Sequence, residues 1–201
     1  MVRKVPTPEE LKPPPGIFSA ATAIQRLLDE AGHQFCFIGG LAFQRWGNPR
    51  YTQDVDLTLI CPIGDERAMV EQLASWFPSR LKESLEFSIR QRIYLALLPD
   101  GTPADIALGV LDFEYRAVAR AIRFDFGMGD PLKICTADDL IVYKAFAARD
   151  RDWADVQSII RRRGGELNWT QILEELTPLA ELKEQPEILA RLATIRKDPT
   201  R

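Results

Sequence analysis

The fold of this chain is decided by Phe37-Ile38-Gly39-Gly40 and, after thirteen intervening residues, Asp54-Val55-Asp56-Leu57. The first segment ends a short apolar run at residues 34–38. That run predicts a buried strand leading into two glycines, followed by a short helix over 41–46. In the second segment acidic and apolar side chains alternate, which predicts a strand over 54–60 with both aspartates on one face.

Asp54 and Asp56 form a pair of carboxylates that lie about 6.6 Å apart along such a strand. Two carboxylates on the same side repel each other, and a divalent cation removes that penalty. Mg²⁺ prefers hard oxygen ligands, and two ions about 3.5–4 Å apart can clamp an in-line phosphoryl displacement. We therefore expect two Mg²⁺ ions at this pair, with Mn²⁺ as an alternative.

The glycine pair suits an anionic ligand. Where a strand runs into Gly39-Gly40 and then into a helix, the backbone N–H groups are not crowded by Cβ atoms. The positive end of the helix dipole lies at the same place. A triphosphate bound there would lie beside two carboxylates, which is tolerable only if metal bridges them. The glycines and the acids together indicate a metal-bound nucleoside triphosphate (NTP).

A third acidic residue, Asp105, lies in the apolar strand-like segment 104–108. An acid among alanine and isoleucine needs a partner, because burying an unpaired charge is costly. Metal is the simplest partner, and from there Asp105 can accept a proton from an attacking hydroxyl or orient that hydroxyl. Two other interpretations stay open: Asp105 caps a turn, or it pairs with Arg90 or Arg92.

The rest of the chain predicts an α/β (α+β) fold with a small mixed sheet flanked by helices. Asp100-Gly101 between two apolar runs predicts a hairpin. We expect a Pro-rich tail over 1–15, an α/β core over 16–130 and a helical segment over 131–201 packed on that core. The other predicted strands are 85–90, 93–98, 104–108 and 132–135, and the other predicted helices are 17–31, 65–77, 112–122, 137–148, 153–163 and two that begin near 169 and after 186.

Charge and composition exclude several classes of protein. With 26 basic and 29 acidic residues the net charge is −3, which gives no global attraction to nucleic acid. Residues 144–163 carry six basic against three acidic side chains and form a candidate basic patch, although a solvated charged helix explains them equally well. His33 is the only histidine, which argues against a His-rich zinc site or a Ser-His-Asp triad.

The expected location is the cytoplasm. No apolar run approaches the ~20 residues of a membrane span, and residues 1–16 lack the apolar stretch of a secretory signal. Cys36, Cys61 and Cys135 are widely spaced without a CxxC pair, as expected of reduced, buried thiols. We therefore expect no membrane partner.

These motifs resemble those of the nucleotidyltransferase (DNA polymerase beta-like) superfamily. In that superfamily a hydrophobic residue and Gly-Gly or Gly-Ser precede Asp-x-Asp, and a further acid follows on a later strand. Within it, the chain is similar to the bacterial family that includes AbiEii-type toxins of abortive-infection and toxin–antitoxin systems. The similar blocks are Gly39-Gly40-Leu41-Ala42 with Gly47, Arg50, Thr52 and Asp54-Val55-Asp56, and then Lys144 with Arg149, Asp152 and Asp155, within residues 17–163.

The resemblance implies a role for each matching position. Asp54, Asp56 and Asp105 would be the catalytic acids and metal ligands, and the nucleotide phosphates would be bound by Gly39, Gly40, Lys144 and either Arg50 or Thr52. Asp152 and Asp155 would instead fix Arg149 and the helix packing. Lys144 has a second interpretation, a side chain that snorkels past the edge of the core. Many superfamily members carry Ser where this chain has Gly40, which removes a hydroxyl contact but keeps the backbone donors.

We therefore expect a metal-dependent nucleotidyltransferase that transfers a nucleoside monophosphate (NMP) from an NTP to a hydroxyl acceptor and releases pyrophosphate. The acceptor stays open among RNA (such as tRNA), protein and a small molecule, and a cognate antitoxin is an expected partner. Two alternatives remain. One is a non-catalytic protein that binds nucleotide or acts through an antitoxin partner. The other is an adenylyltransferase that modifies an antibiotic-type hydroxyl.

Overall fold

The described chain contains both strands and helices as far as residue 134, and its later elements are all helices. The structure, a computed structural model, describes residues 16–82 and 84–199, so the tail predicted over 1–15 lies outside the described residues. The helices are α1 (Ile17–Glu30), α2 (Gly39–Trp46), α3 (Glu66–Trp76), α4 (Ser84–Gln91), α5 (Asp112–Arg120), α6 (Ala137–Ala147), α7 (Asp150–Arg163), α8 (Trp169–Leu182) and α9 (Glu187–Lys197). The strands are β1 (Phe35–Phe37), β2 (Val55–Ile60), β3 (Ile93–Leu97), β4 (Pro103–Gly109), β5 (Ile122–Phe124) and β6 (Leu132–Ile134).

The described chain divides into two units. The sheet unit contains residues 16–41 and 51–134, and the helical unit contains residues 42–50 and 135–199. The division falls within α2, after Leu41. Strand β6, which lies beyond the residue 130 expected as the end of the core, belongs to the sheet unit.

In the sheet unit, the six strands of the described residues form one sheet in the order β3-β4-β2-β1-β6-β5. The pairs β3–β4, β1–β2 and β5–β6 are antiparallel, whereas β2–β4 and β1–β6 are parallel. The predicted mixed sheet and α/β class are therefore confirmed. The predicted hairpin between β3 and β4 is also present, and its turn is closed by a hydrogen bond from Gly101 N to Leu98 O.

Every second side chain of β2 points into the core of the sheet unit. Val55, Leu57 and Leu59 are fully buried, and helices α1 and α5 pack against this strand. Asp54 and Asp56, at the alternate positions, are only half-buried. Because neighbouring side chains on a strand point to opposite faces, the two acids lie on the face away from Val55, Leu57 and Leu59.

One predicted strand is wrong: residues 85–90 form α4. The apolar–polar alternation of this segment resembles a strand, but the outer edge of β3 already has a partner. Ser79 forms a bridge with Ala96, and Arg80 N donates to Leu95 O. A strand at 85–90 would have no free edge of β3 to pair with, and the segment packs on β3 as a helix. The predicted helix 112–122 also ends early, at Arg120, and β5 follows.

The helical unit is organised around α6, which packs against α7, α8 and α9. Leu140, Ile141 and Ala145 are fully buried. Thr136 caps the start of this helix, because its hydroxyl accepts a hydrogen bond from Asp139 N at 3.2 Å. Such a cap satisfies one of the backbone donors that a helix start leaves without a partner.

The three cysteines are buried as thiols, as expected from their spacing. Among the helices that the structure describes, none combines the length and the apolar character that crossing a bilayer requires.

Candidate active site

The structure brings the three predicted acids together on one face of the sheet unit. Asp56 on β2 is the register partner of Asp105 on β4, the parallel strand beside it. Paired residues of neighbouring strands lie about 4.8 Å apart and share a face. Asp54, two residues before Asp56, lies on the same face. We call the surface formed by Asp54, Asp56 and Asp105 the acidic face.

Each of these carboxylates has a different hydrogen-bond donor. Asp54 Oδ1 accepts from the Thr52 hydroxyl at 3.1 Å, and Asp56 Oδ2 accepts from Gly40 N at 3.3 Å. Asp105 Oδ1 accepts from the guanidinium of Arg80. In this arrangement no three Asp, Glu, His or Cys side chains of the described residues are grouped closely enough to hold a metal ion.

The electrostatics of the acidic face nevertheless suit an added cation. Burial raises the pKa of the Asp105 carboxyl and the charge of Asp54 raises it further, whereas Arg80 lowers it, and the net shift is upward. The protein alone therefore stabilises the ionised form of Asp105 incompletely. All the atoms that could coordinate a metal ion here are carboxylate oxygens, the ligands that Mg²⁺ and Mn²⁺ prefer. The residues present fit a divalent ion of this class.

Gly39 and Gly40 are required for the start of α2 to approach the acidic face. Gly39 has φ +56°, and a Cβ atom there would lie 2.5 Å from Asp56 Cγ and 2.6 Å from Asp56 Cβ. A Cβ on Gly40 would lie 2.9 Å from Thr52 Cβ. Side chains at these positions would displace Asp56 or Thr52. The amide of Gly40, predicted to bind phosphate, here binds Asp56, and the positive helix end therefore faces a carboxylate.

Two further predicted residues, Arg50 and Lys144, belong to the helical unit and bind the same carboxylate. Arg50 binds Asp155 with two parallel hydrogen bonds, Nε to Oδ1 at 3.0 Å and Nη2 to Oδ2 at 2.6 Å. Lys144 Nζ lies 2.6 Å from Asp155 Oδ2 and 3.4 Å from Asp152 Oδ1. The side chains of Lys144, Asp152 and Asp155 are each at most 6% exposed, so this is a buried ion cluster.

The cluster compensates a strong desolvation of Asp155. Burial acts to raise the pKa of this carboxyl, but the hydrogen bonds and charges of Arg50 and Lys144 outweigh it, so that the pKa lies below its ordinary value. Asp152 accepts from Arg149 Nε at 2.6 Å, which agrees with the predicted role of Asp152 in fixing Arg149. Asp155 instead binds Arg50 and Lys144, so the cluster joins the segment after α2 to both α6 and α7.

Arg80 binds the acidic face, and the sequence alone did not single this residue out. Asp105 pairs with Arg80, and the interpretation that it pairs with Arg90 or Arg92 is not supported. Arg92 binds Glu66 and donates from Nε to Leu108 O at 2.9 Å. Arg80 reaches Asp105 because residues 78–80 extend the sheet beyond β3, which no local sequence pattern indicates.

Comparison with known protein families gives one match. The model of the family described as "Nucleotidyl transferase AbiEii toxin, Type IV TA system" matches residues 23–150, more than half of the chain. No curated protein matches the chain.

Three solved structures are similar to this chain at low identity. An antigenic nucleotidyltransferase-like protein from Paracoccidioides brasiliensis is 20% identical, with a TM-score of 0.48 over 87% of this chain and 91% of that one. A solution structure of the antibiotic-resistance factor ANT(2'')-Ia is 15% identical, with a TM-score of 0.41 over 90% and 92%. A crystal structure of ANT(2'')-Ia with adenylyl-2''-tobramycin is 18% identical, with a TM-score of 0.40 over 89% and 98%.

The first prediction concerns the close approach at Gly39. Gly39→Ala is expected to lower the free energy of unfolding by more than about 2 kcal/mol. The alanine would have to adopt the left-handed backbone conformation of Gly39, and its Cβ would also clash with Asp56. Gly101→Ala is the matched control: its φ is +85° with nothing within 4 Å of the added Cβ. It should cost only about 1 kcal/mol. Urea denaturation of both variants measures the difference, and equal losses would contradict a packing role for Gly39.

The second prediction concerns the buried ion cluster. Asp155→Asn is expected to lower the free energy of unfolding at pH 7 by about 3 kcal/mol or more, because it removes the carboxylate that binds both Arg50 and the buried Lys144. The pKa of Asp155 is lower in the folded than in the unfolded state. Its contribution is therefore present above the unfolded pKa of about 3.9 and is lost as the pH falls toward the folded value.

The difference between wild type and Asp155→Asn should accordingly shrink as denaturation is repeated from pH 7 down to pH 3. Asp150→Asn on the same helix is the control, because that side chain is 98% exposed and lies 3.4 Å from Arg191. This control should behave as wild type at every pH. A difference for Asp155→Asn that stays constant with pH would show that its charge is not what stabilises the fold.

Proposed function

The chain belongs to the AbiEii nucleotidyl transferase toxin family, and from this premise we propose that it transfers an NMP from an NTP to a hydroxyl acceptor with release of pyrophosphate. The observation that carries the proposal is the acidic face. The register of β2 and β4 puts Asp56 beside Asp105, and Asp54 shares their face. Structural needs alone do not explain three carboxylates gathered beside the guanidinium of Arg80.

In the proposed reaction, the acceptor hydroxyl oxygen attacks the α-phosphorus of the NTP. The bond between the α-phosphorus and the bridging oxygen to the β-phosphorus breaks, and pyrophosphate leaves. Asp105 orients the hydroxyl or accepts its proton. Most of the rate enhancement in such a site comes from holding the reacting groups in line and from neutralising charge.

Metal dependence is part of this proposal. Asp54, Asp56 and Asp105 would hold Mg²⁺ or Mn²⁺, which when bound neutralises phosphate charge and polarises the phosphoryl oxygen. Thr52, whose hydroxyl bonds to Asp54, would keep that carboxylate oriented. The close contact of Gly39 with Asp56 would do the same for Asp56.

Phosphate binding is proposed for the backbone at Gly39 and Gly40 and for Lys144 and Arg50. The support for the glycines is the start of α2 beside the acidic face, where the helix dipole is positive. The support for Lys144 and Arg50 is their match to the family's sequence pattern. Both cations are bound to Asp155 in this structure, so each would have to leave that carboxylate to bind a phosphate.

The third prediction is a label-transfer test with α-labelled NTPs, Mg²⁺, total RNA, protein extract and small-molecule fractions. Wild type is expected to label one of these fractions, which identifies the acceptor class as RNA, protein or a small hydroxyl compound. Asp54→Asn/Asp56→Asn should lower transfer at least about a hundredfold, because the charge that holds the metal is removed.

Asp65→Asn is the matched control for this test, because Asp65 is exposed and its side chain makes no cap hydrogen bond to α3. It should transfer label as wild type does. Equal transfer by wild type and the double variant would exclude the acidic face as the catalytic centre. Absence of label with all four NTPs would favour the alternative in which the protein acts through binding alone.

The family description also supports a proposed biological role, a toxin with a cognate antitoxin. As a fourth prediction, induced expression in a bacterial host is expected to slow growth, and Asp54→Asn/Asp56→Asn expressed at the same level should not. Growth curves with immunoblots to match expression measure this. Equal slowing by the double variant would show that any toxicity does not depend on nucleotidyl transfer.

A further inference from the structure

Arg80 is held at one end of a row of residues that crosses the sheet. Its backbone N–H donates to Leu95 O at 2.8 Å, Leu95 is the register partner of Asp105, and Asp105 is the register partner of Asp56. Residues paired in this way share one face of a sheet. The Arg80 guanidinium passes Leu95 and binds Asp105, so a cation of the chain itself lies on the acidic face.

The backbone of Arg80 is fixed, whereas its side chain has room to move. Ser79 forms a bridge with Ala96, and Leu97 N donates to Pro78 O at 2.8 Å, so residues 78–80 are paired to β3 on both sides of Ser79. The side chains of Arg80 and Asp105 are 32% and 31% exposed. A partly exposed pair on an anchored backbone can open by side-chain rotation without unfolding any element.

Two cations would compete for Asp105 in the proposed reaction. A carboxylate oxygen that coordinates a divalent ion cannot keep the same hydrogen bond from a guanidinium. If the guanidinium is released beside a triphosphate, the phosphate oxygens there are better acceptors than the carboxylate. Its planar fork matches two phosphate oxygens, and hydrogen bonds between such charged groups are among the strongest in proteins.

We propose that Arg80 is a phosphate-positioning residue that holds Asp105 in the nucleotide-free protein and transfers to the nucleotide phosphates when Asp105 binds metal. The proposal rests on the proposed function. It makes metal and nucleotide binding mutually dependent: each is weak alone, because Arg80 occupies Asp105, and each strengthens the other.

The fifth prediction tests this dependence by Mn²⁺ binding, followed by the electron paramagnetic resonance signal of free Mn²⁺. Binding is measured with and without a non-hydrolysable analogue of each of the four NTPs. In wild type, the analogue is expected to tighten Mn²⁺ binding about fivefold or more. In Arg80→Gln, Mn²⁺ alone should bind tighter than to wild type, while the analogue binds about tenfold more weakly and no longer tightens Mn²⁺ binding.

Two variants control for structural effects. Arg80→Lys keeps the positive charge but lacks the planar guanidinium. Compared with Arg80→Gln, it should again bind Mn²⁺ alone as weakly as wild type, but it should not regain full affinity for the analogue. Arg123→Gln removes another Arg–Asp pair, 3.0 Å to Asp29, on β5 at the opposite edge of the same sheet. It should bind Mn²⁺ and analogue as wild type does. Thermal unfolding of each variant verifies that it is folded before binding is measured.

The opposite signs of the two affinity changes distinguish this role from general damage to the site, which would weaken both. If Arg80→Gln binds Mn²⁺ and analogue as wild type does, or loses both affinities, the role of Arg80 is overturned. Asp54→Asn/Asp56→Asn separates that failure from failure of the proposed function. If wild type binds Mn²⁺ and the double variant does not, the metal site stands whatever Arg80 does. If neither binds, the proposed metal site itself is excluded.

Discussion

The sheet unit depends on one electrostatic constraint, the placement of three carboxylates on neighbouring positions of a single sheet face. Parallel pairing of β2 and β4 forces Asp56 and Asp105 to be neighbours. Their repulsion is opposed by a hydroxyl, a backbone amide and one guanidinium. The other features of the face follow from it, since Gly39 must lack a side chain for Asp56 to fit, and Arg80 must reach past Leu95 to supply positive charge.

The buried ion cluster around Asp155 and the acidic face differ in how far the protein stabilises their ionised carboxylates. In the helical unit, Asp155 accepts three hydrogen bonds from Arg50 and Lys144, and the side chains of Asp155 and Lys144 are buried. The hydrogen bonds and charges within the cluster outweigh the desolvation of Asp155. The acidic face is partly exposed, and burial together with the charge of Asp54 raises the pKa of the Asp105 carboxyl despite the opposing effect of Arg80. Shifted pKa values of this kind are common at functional sites, which supports the proposed role of the acidic face.

The sequence predicted the parts of the site that depend on local periodicity. Alternation along residues 54–60 put Asp54 and Asp56 on one face, and an acid among alanine and isoleucine singled out Asp105. Register is not a local property, so neither the pairing of Asp56 with Asp105 nor that of Asp105 with Arg80 could be derived. The same limit explains residues 85–90, whose alternation predicted a strand although residues 78–80 occupy the edge of β3.

The pairing of β2 with β4 also determines when the acidic face can exist during synthesis of the chain. Asp56 and Asp105 are forty-nine residues apart, and β4 must insert between β2 and β3. Closing so long a loop costs entropy before any contact compensates it. A nascent chain that ends before β4 carries Asp54 and Asp56 but has no third acid beside them. The acidic face is therefore incomplete until the segment that forms β4 has emerged from the ribosome.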